Sequence, residues 1–273
     1  LFRSELGFNE NADNTTHEKE ILLEATSGYE LTTSNLSNEV ISCNVPLKKI
    51  CDVPTTVLNP REETILKPYR LGIIGVGFVG NAILKSFQKK KMLVVAYDKF
   101  KSFDALEDTI DTDILFLCLP TLFDEDKMQY DKSAIVDICE YLVLKKYNGV
   151  VVIKSTVEPN TTDMLDKSFP SLSFLHNPEF LTAKTAEYDF HHQTHVVLGC
   201  PSTLSMEKLD KVKGFYEEYY PEATLSVCSS TESEMMKISC NSFYSVKVQF
   251  FTELYMLCKK IGCNYEKVKN LKI

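Results

Sequence analysis

Leu71-Gly72-Ile73-Ile74-Gly75-Val76-Gly77-Phe78-Val79-Gly80-Asn81-Ala82-Ile83-Leu84-Lys85 is the stretch whose reading decides the fold. Leu71 to Ile74 is a short apolar run of strand length, and Asn81 to Lys90 has the mixed apolar and charged texture of an amphipathic helix. The turn between them has glycine at three spaced positions. Gly75 permits a tight turn off the strand, Gly77 lets the backbone approach a ligand closely, and Gly80 lets helix and strand pack together. A helix that starts here offers free backbone N–H groups and the positive end of its dipole, with Phe78 and Val79 in the first turn. Strand, glycine loop and helix in this order make a pyrophosphate-binding fingerprint, whereas the three glycines alone would be a weak signal.

The next apolar run, Leu93 to Tyr97, ends at Asp98, close to the spacing of about 20 residues at which such folds place a ribose-binding carboxylate. An acidic side chain there accepts hydrogen bonds from ribose hydroxyls and repels a 2′-phosphate, so the predicted dinucleotide is NAD rather than NADP. Lys99 follows directly and tempers that preference.

Outward from the loop, apolar runs alternate with helical patterns. The runs are Ile114–Leu119, Val150–Ile153, Leu172–Leu175, His195–Gly199 and Thr224–Val227; Ala82–Lys90, Ser133–Lys146 and Ser202–Tyr219 are amphipathic. The expected class is α/β, a doubly wound, Rossmann-type, mostly parallel sheet with helices on both faces. From Thr231 to Lys260 there is no Gly or Pro, and apolar residues recur at helical spacing. Thr231 and Glu234 have the form of a capping box, so a single helix of roughly 30 residues, about 45 Å long, is expected there. A helix of that length leaves the first domain to pack on another domain or subunit, and Gly262 would end it. Residues 1–68, rich in Asn, Thr, Ser and Glu, read as an irregular leader or accessory segment. The predicted divisions are 1–68, 69–229 for the dinucleotide-binding domain and 230–273 for the start of a helical dimerisation domain.

Composition limits the partners. The 273 residues carry a formal charge of −8, which disfavours a general nucleic-acid binder, and no apolar run approaches the roughly 20 residues of a membrane span. Nine cysteines, without a CxxC pair or metal-like Cys/His spacing, suit reduced thiols in a cytoplasmic compartment and no metal site. The chain starts with Leu and stops just past the long helix, and it reads as cut rather than finished.

Four further segments carry a resemblance. They are Phe116-Leu117-Cys118-Leu119-Pro120-Thr121, Ile153-Lys154-Ser155-Thr156-Val157-Glu158-Pro159-Asn160-Thr161-Thr162, Asn177-Pro178-Glu179-Phe180-Leu181, and Glu234-Met235-Met236-Lys237 running on to Asn241-Ser242-Phe243. In that order after the glycine loop, over some 200 residues from about Tyr69 to Lys267, they resemble the nucleotide-sugar (UDP-glucose/GDP-mannose) dehydrogenase family. The resemblance implies NAD-dependent oxidation of the C6 alcohol of a UDP-sugar to the uronic acid, in a homodimer built on the long helix. It implies that Thr156 positions a water near the nicotinamide and that Glu179 acts on water in thioester hydrolysis. It further implies that Lys237 stabilises an oxyanion, that Asn241 holds substrate and water, and that Thr121 and Ser155 line the dinucleotide. Residue types alone leave plainer roles open: a strand-end Thr156 in a turn, a solvated Glu179 at a helix start, a solvated Lys237.

Departures from the family pattern are equally specific. Asn160 stands where a glycine is usual, and Ala183, followed by Lys184, where a second acidic residue follows the NPEFL segment. The loop Asp189-Phe190-His191-His192-Gln193-Thr194-His195 replaces a Pro- and Arg-containing one. The family's nucleophilic cysteine lies in a Gly-rich segment beyond the central helix, and none of these nine cysteines does. Two alternatives therefore stand beside the leading expectation: a non-catalytic NAD-binding and dimerising remnant, and a 6-phosphogluconate-type β-hydroxyacid dehydrogenase, which the NPEFL segment argues against.

Overall fold

The computed structural model describes residues 69–271, so the expected leader at 1–68 lies outside the described residues. Strands β1 (Leu71–Ile74), β2 (Val94–Tyr97), β3 (Ile114–Leu117), β6 (Val150–Ile153), β7 (Phe174–His176), β8 (His195–Cys200) and β9 (Thr224–Ser229) form one seven-stranded sheet in the order β2-β1-β3-β6-β7-β8-β9. All seven expected runs are strands, within a few residues at their ends. A small hairpin of β4 (Phe123–Asp124) and β5 (Gln129–Tyr130), and a short 3-10 helix at Leu106–Asp111, were not signalled by periodicity. Strands of two residues are too short to show one.

Side chains of the central strands alternate between two cores. Leu71 and Ile73 of β1, Ile114 and Phe116 of β3, and Val150 and Val152 of β6 pack with Ile83 and Phe87 of α1 (Phe78–Lys89), Phe190 of α4 (Ala186–His191) and Phe215 of α5 (Met206–Tyr219). Ile74, Leu115, Leu117, Val151 and Ile153 point to the other face, where α2 (Ser133–Leu144) and α3 (Thr161–Ser168) cover them with Ile135, Leu142 and Leu165. Burial on both faces is why these runs read as continuous apolar stretches instead of alternating ones.

The sheet is mostly parallel, as expected, with one antiparallel pairing. β8 runs antiparallel to β7, with His176 opposite Gly199, and β9 is parallel to β8. The carboxyl ends of β8 and β9 therefore lie at the opposite edge from those of β1, β2, β3, β6 and β7. The long helix α6 (Ser230–Ile261) starts at that far edge and crosses back over β7 and β8. Seven residues of helix rise about 10 Å, the length of about three residues of strand, so Lys237 arrives level with the turn that follows β7. The remaining 24 residues or so project about 36 Å further. Accordingly, four of the five buried residues of α6 are Ser230, Ser233, Glu234 and Lys237, in its first turns.

The start of α6 differs from expectation in a way that has a physical reason. The capping box is Ser229 with Glu232, not Thr231 with Glu234. Glu234 is instead fully buried, and its Oε1 accepts bonds from the Thr162 backbone N–H at 2.7 Å and hydroxyl at 2.6 Å. Thr231 donates to Asn160 Oδ1 at 2.9 Å. Both residues are used to seat the helix on α3, a tertiary task that the local S/T-x-x-E pattern cannot announce. The helix ends where expected, at Gly262 with φ of 76°.

Candidate dinucleotide cleft and acid–base pair

The chain passes from β1 out to β2 on one side and returns to β3 on the other. The sheet thus has its topological switch point between β1 and β3, where ligands bind in open α/β folds. The glycine loop lies in that crevice. Gly75 has φ of +91°, and a Cβ there would stand 2.5 Å from the Cys118 carbonyl oxygen. A Cβ on Gly80 would stand 1.9 Å from the Gly75 carbonyl oxygen, so helix and strand touch backbone to backbone. A Cβ on Gly77 would meet nothing within 4 Å. Gly77 is also the N-cap of α1, which no side chain caps. An open backbone surface in front of uncapped helix N–H groups suits a pyrophosphate.

Asp98 is partly buried at the end of β2. Its Oδ2 accepts the Val76 N–H at 2.8 Å and its Oδ1 the Phe100 N–H at 2.9 Å, so the carboxylate is locked to the glycine loop with lone pairs left for hydroxyl donors. Lys101, which sequence reasoning passed over, reaches the Val76 carbonyl with its ammonium, while Lys99 is exposed. Phe78 is half-exposed and Val79 partly buried at the loop's outer face.

Thr121, Ser155 and Thr156 lie together beyond β3 and β6. The Thr121 hydroxyl donates to the Thr156 carbonyl at 2.6 Å, and Ser155 to the Leu119 carbonyl at 2.7 Å. Both hydroxyls are spent stitching the two loops to each other; Thr156 itself is partly exposed at their rim.

The turn after β7 brings in the charged groups. Asn177 and Pro178 are buried, and Glu179 follows with 15% of its side chain exposed. The Lys237 ammonium donates to Glu179 Oε1 at 3.0 Å and to the Glu179 carbonyl at 2.5 Å, and lies 5.5 Å from the centre of the Phe180 ring. Glu179 Oε2 accepts the Leu181 N–H at 2.7 Å. Neither group is a solvated surface charge: Glu179 is not at a helix start, and the Lys237 side chain is 7% exposed. Asn241, one turn further along α6, is exposed.

Beneath this pair is Lys154, 2% exposed, whose ammonium donates to Asn177 Oδ1 at 2.8 Å and the Pro178 carbonyl at 3.4 Å. Burial pulls its pKa down to about 8. Burial pushes the neighbouring Cys118 thiol up to about 12, which keeps it a thiol rather than a nucleophilic thiolate. His176 is buried with Nδ1 2.8 Å from Ser233 Oγ, and burial holds it near 3, hence neutral. Asn160 takes a left-handed φ of 74° where a glycine is usual, a conformation Asn tolerates. In the histidine-rich loop, His191 bonds to Ser86 and His192 to the Tyr188 carbonyl, each at 3.0 Å. No three His, Cys, Asp or Glu among the described residues are grouped to hold a metal, and no helix there is long and apolar enough to cross a membrane.

Comparison with known proteins agrees with this fold. Residues 100–219 match the NAD binding domain of the UDP-glucose/GDP-mannose dehydrogenase family, and residues 231–272 match its central domain. A UDP-glucose 6-dehydrogenase of Haloferax volcanii is 29% identical over 186 residues, 63% of this chain and 43% of that protein. One from Rickettsia felis is 33% identical over 52% of this chain and 32% of its own length. The chain thus spans less than half the length of these curated relatives. In fold it is similar to a UDP-glucose dehydrogenase from Pyrobaculum islandicum, with a TM-score of 0.65 at 21% identity over 78% of this chain and 57% of that one. It is also similar in fold to a GDP-mannose dehydrogenase from Pseudomonas aeruginosa, with a TM-score of 0.61 at 21% identity over 74% of this chain and 56% of that one.

Proposed function

We propose that this chain, which belongs to the UDP-glucose/GDP-mannose dehydrogenase family, contributes to oxidation of the C6 alcohol of a UDP-sugar to the carboxylate, two NAD being reduced per sugar. Residues 69–229 are the cofactor-binding domain in this reading and residues 230–273 begin the helical dimerisation domain. The observation that carries it is the Lys237–Glu179 pair at the same sheet edge as the glycine loop, an ammonium and a carboxylate side by side in a nearly dry corner.

NAD supplies the hydride acceptor when bound. The cleft suits it: Gly77 leaves the backbone bare where the pyrophosphate would lie, and Asp98 is hydrogen-bonded to the loop through the Val76 N–H. Gly75, Gly77, Phe78, Val79 and Gly80 would cradle the phosphates, with Thr121, Ser155 and Thr156 along the nicotinamide half. Lys237 is the electrostatic partner for an alkoxide or tetrahedral oxyanion, since a positioned ammonium in low dielectric stabilises charge that develops beside it. Glu179 is the proton acceptor for water, Thr156 its orienting hydroxyl, and Asn241 a hydrogen-bonding group for substrate. The distal part of α6 exposes Phe243, Tyr244, Val246, Phe250 and Ile261, an apolar surface that supports a homodimer built on this helix.

The test is stoichiometric. The protein extended to the length of its relatives, given UDP-glucose and NAD, should release two NADH per sugar; release of one, or turnover of β-hydroxyacids instead, would overturn the proposal.

A further inference from the structure

We propose that Lys154 is a positioning residue for Glu179: its buried ammonium clamps the Asn177-Pro178 turn and biases the carboxylate that follows. The inference rests on the reading of Glu179 and Lys237 as the reacting pair and extends it to a residue buried beneath them.

The clamp is built from four elements. Asn177 Oδ1 accepts from Lys154 of β6's end at 2.8 Å and from the Tyr216 hydroxyl of α5 at 2.5 Å. Its Nδ2 donates to the Val197 carbonyl of β8 at 2.8 Å, and its backbone N–H to the Ile153 carbonyl at 2.9 Å. Every hydrogen-bonding atom of the Asn177 side chain is thereby engaged, and the next residue but one is Glu179. The groups around the Lys154 ammonium are Cys118 beyond β3, His176 on β7, Glu179 in the turn, Lys237 on α6, the Phe190 ring, and the Tyr216 hydroxyl on the shared Asn177 oxygen. Cys118 and His176 are neutral, so among the described residues Glu179 is the anion facing it, shared with Lys237.

A lysine bonded only to an amide and a carbonyl is a poor way to stabilise a fold. A buried ammonium without a directly bonded counter-ion is costly to desolvate, and a well-packed apolar side chain would serve the fold better. Its placement therefore makes sense through what its charge does next door. A positive charge behind the turn attracts the Glu179 carboxylate and repels a second ammonium, which keeps Lys237 directed onto the carboxylate. The depressed pKa of about 8 is the sign that the site bears the desolvation cost.

The experiment uses this chain without substrate, labelled for NMR. In the wild type, the Glu179 side-chain carboxyl carbon and the Leu181 amide should shift with the same midpoint as the Lys154 side chain when pH is raised past 8. Lys154→Met should move the Glu179 carboxyl-carbon signal away from its wild-type position and speed exchange of the Leu181 amide about tenfold. Lys154→Arg should return both toward wild type. Glu179 and Leu181 signals that stay flat while Lys154 titrates would overturn the proposal even if neither variant folds. The readouts need no turnover, so a failed UDP-sugar oxidation would leave them standing, and a flat response would leave the oxidation standing.

Discussion

The glycine loop and the Glu179–Lys237 corner lie on one edge of one sheet and are made of opposite materials. The loop works through what its residues lack: Gly75 and Gly80 have backbone within 2.5 Å of where a Cβ would be, and Gly77 leaves bare space. The corner works through long side chains from segments 58 residues apart in sequence, brought together by a helix that returns across the sheet. A backbone site is written in consecutive residues. A side-chain site is written in the topology.

The sharpest way to break that contrast is within the loop itself. Gly80→Ala puts a methyl 1.9 Å from the Gly75 carbonyl oxygen, a backbone atom that cannot give way as the end of a flexible side chain could. Thermal denaturation should show a loss of about 3 kcal/mol or more, at the upper end of overpacking costs. Gly77→Ala meets no atom within 4 Å, so its stability should change by less than about 1 kcal/mol while NADH affinity, followed by fluorescence, drops at least about tenfold. Equal behaviour of the two variants would mean that the loop is a packing motif only.

In the corner, Lys237→Met leaves the Glu179 carboxylate largely buried beside Phe180 without its ammonium. The expected loss is about 2–3 kcal/mol by denaturant unfolding, below the range for a fully buried pair because Glu179 keeps 15% exposure and the Leu181 N–H bond. The double variant with Glu179→Gln should recover part of it; strict additivity would show that the two groups do not interact.

Acid should then weaken the seat of α6. His176 is held near 3 by burial, against an ordinary 6.5, so its folded-state pKa is the depressed one. The stability linked to it is complete above about pH 6.5 and is lost as pH falls toward 3, because the unfolded chain takes up the proton first. His176→Gln should flatten the fall in unfolding free energy between pH 6 and 4; an unchanged slope would place the acid sensitivity elsewhere.

The smallest effect is expected at Asp98. Asp98→Asn removes the charge at the end of β2 but keeps an acceptor for the Val76 N–H. The NADPH-to-NADH affinity ratio should rise about tenfold, roughly 1.4 kcal/mol, helped by Lys101 at the loop. A ratio that does not move would take Asp98 out of cofactor discrimination.

Much of this was legible in the residues, for identifiable reasons. The glycine positions, Asp98 and every strand of the main sheet follow from local steric demands and from burial on two faces. Glu179 and Lys237 were reached only through a resemblance, since a Glu after Pro and a Lys on a helix are usually solvated. Lys154 stood in plain view inside the run Val150-Val151-Val152-Ile153-Lys154 and was passed over; a charged residue at the end of an otherwise apolar strand was the signal. The Thr231–Glu234 pair shows the reverse failure, a correct local pattern overridden by contacts with α3.

What the sequence by itself determined is the set of local conformations: the turn only glycine can make, the strands, and the uninterrupted helix from 230 to 261. Each follows from sterics and hydrogen bonding over a few neighbouring residues. What only the tertiary structure decided is the partnership of Glu179, Lys237 and Lys154. It depends on the reversal of β8 and β9, which starts α6 at the far edge and brings it back by about 10 Å to meet the turn after β7. No spacing along the chain encodes that meeting, because its distance is measured across the sheet.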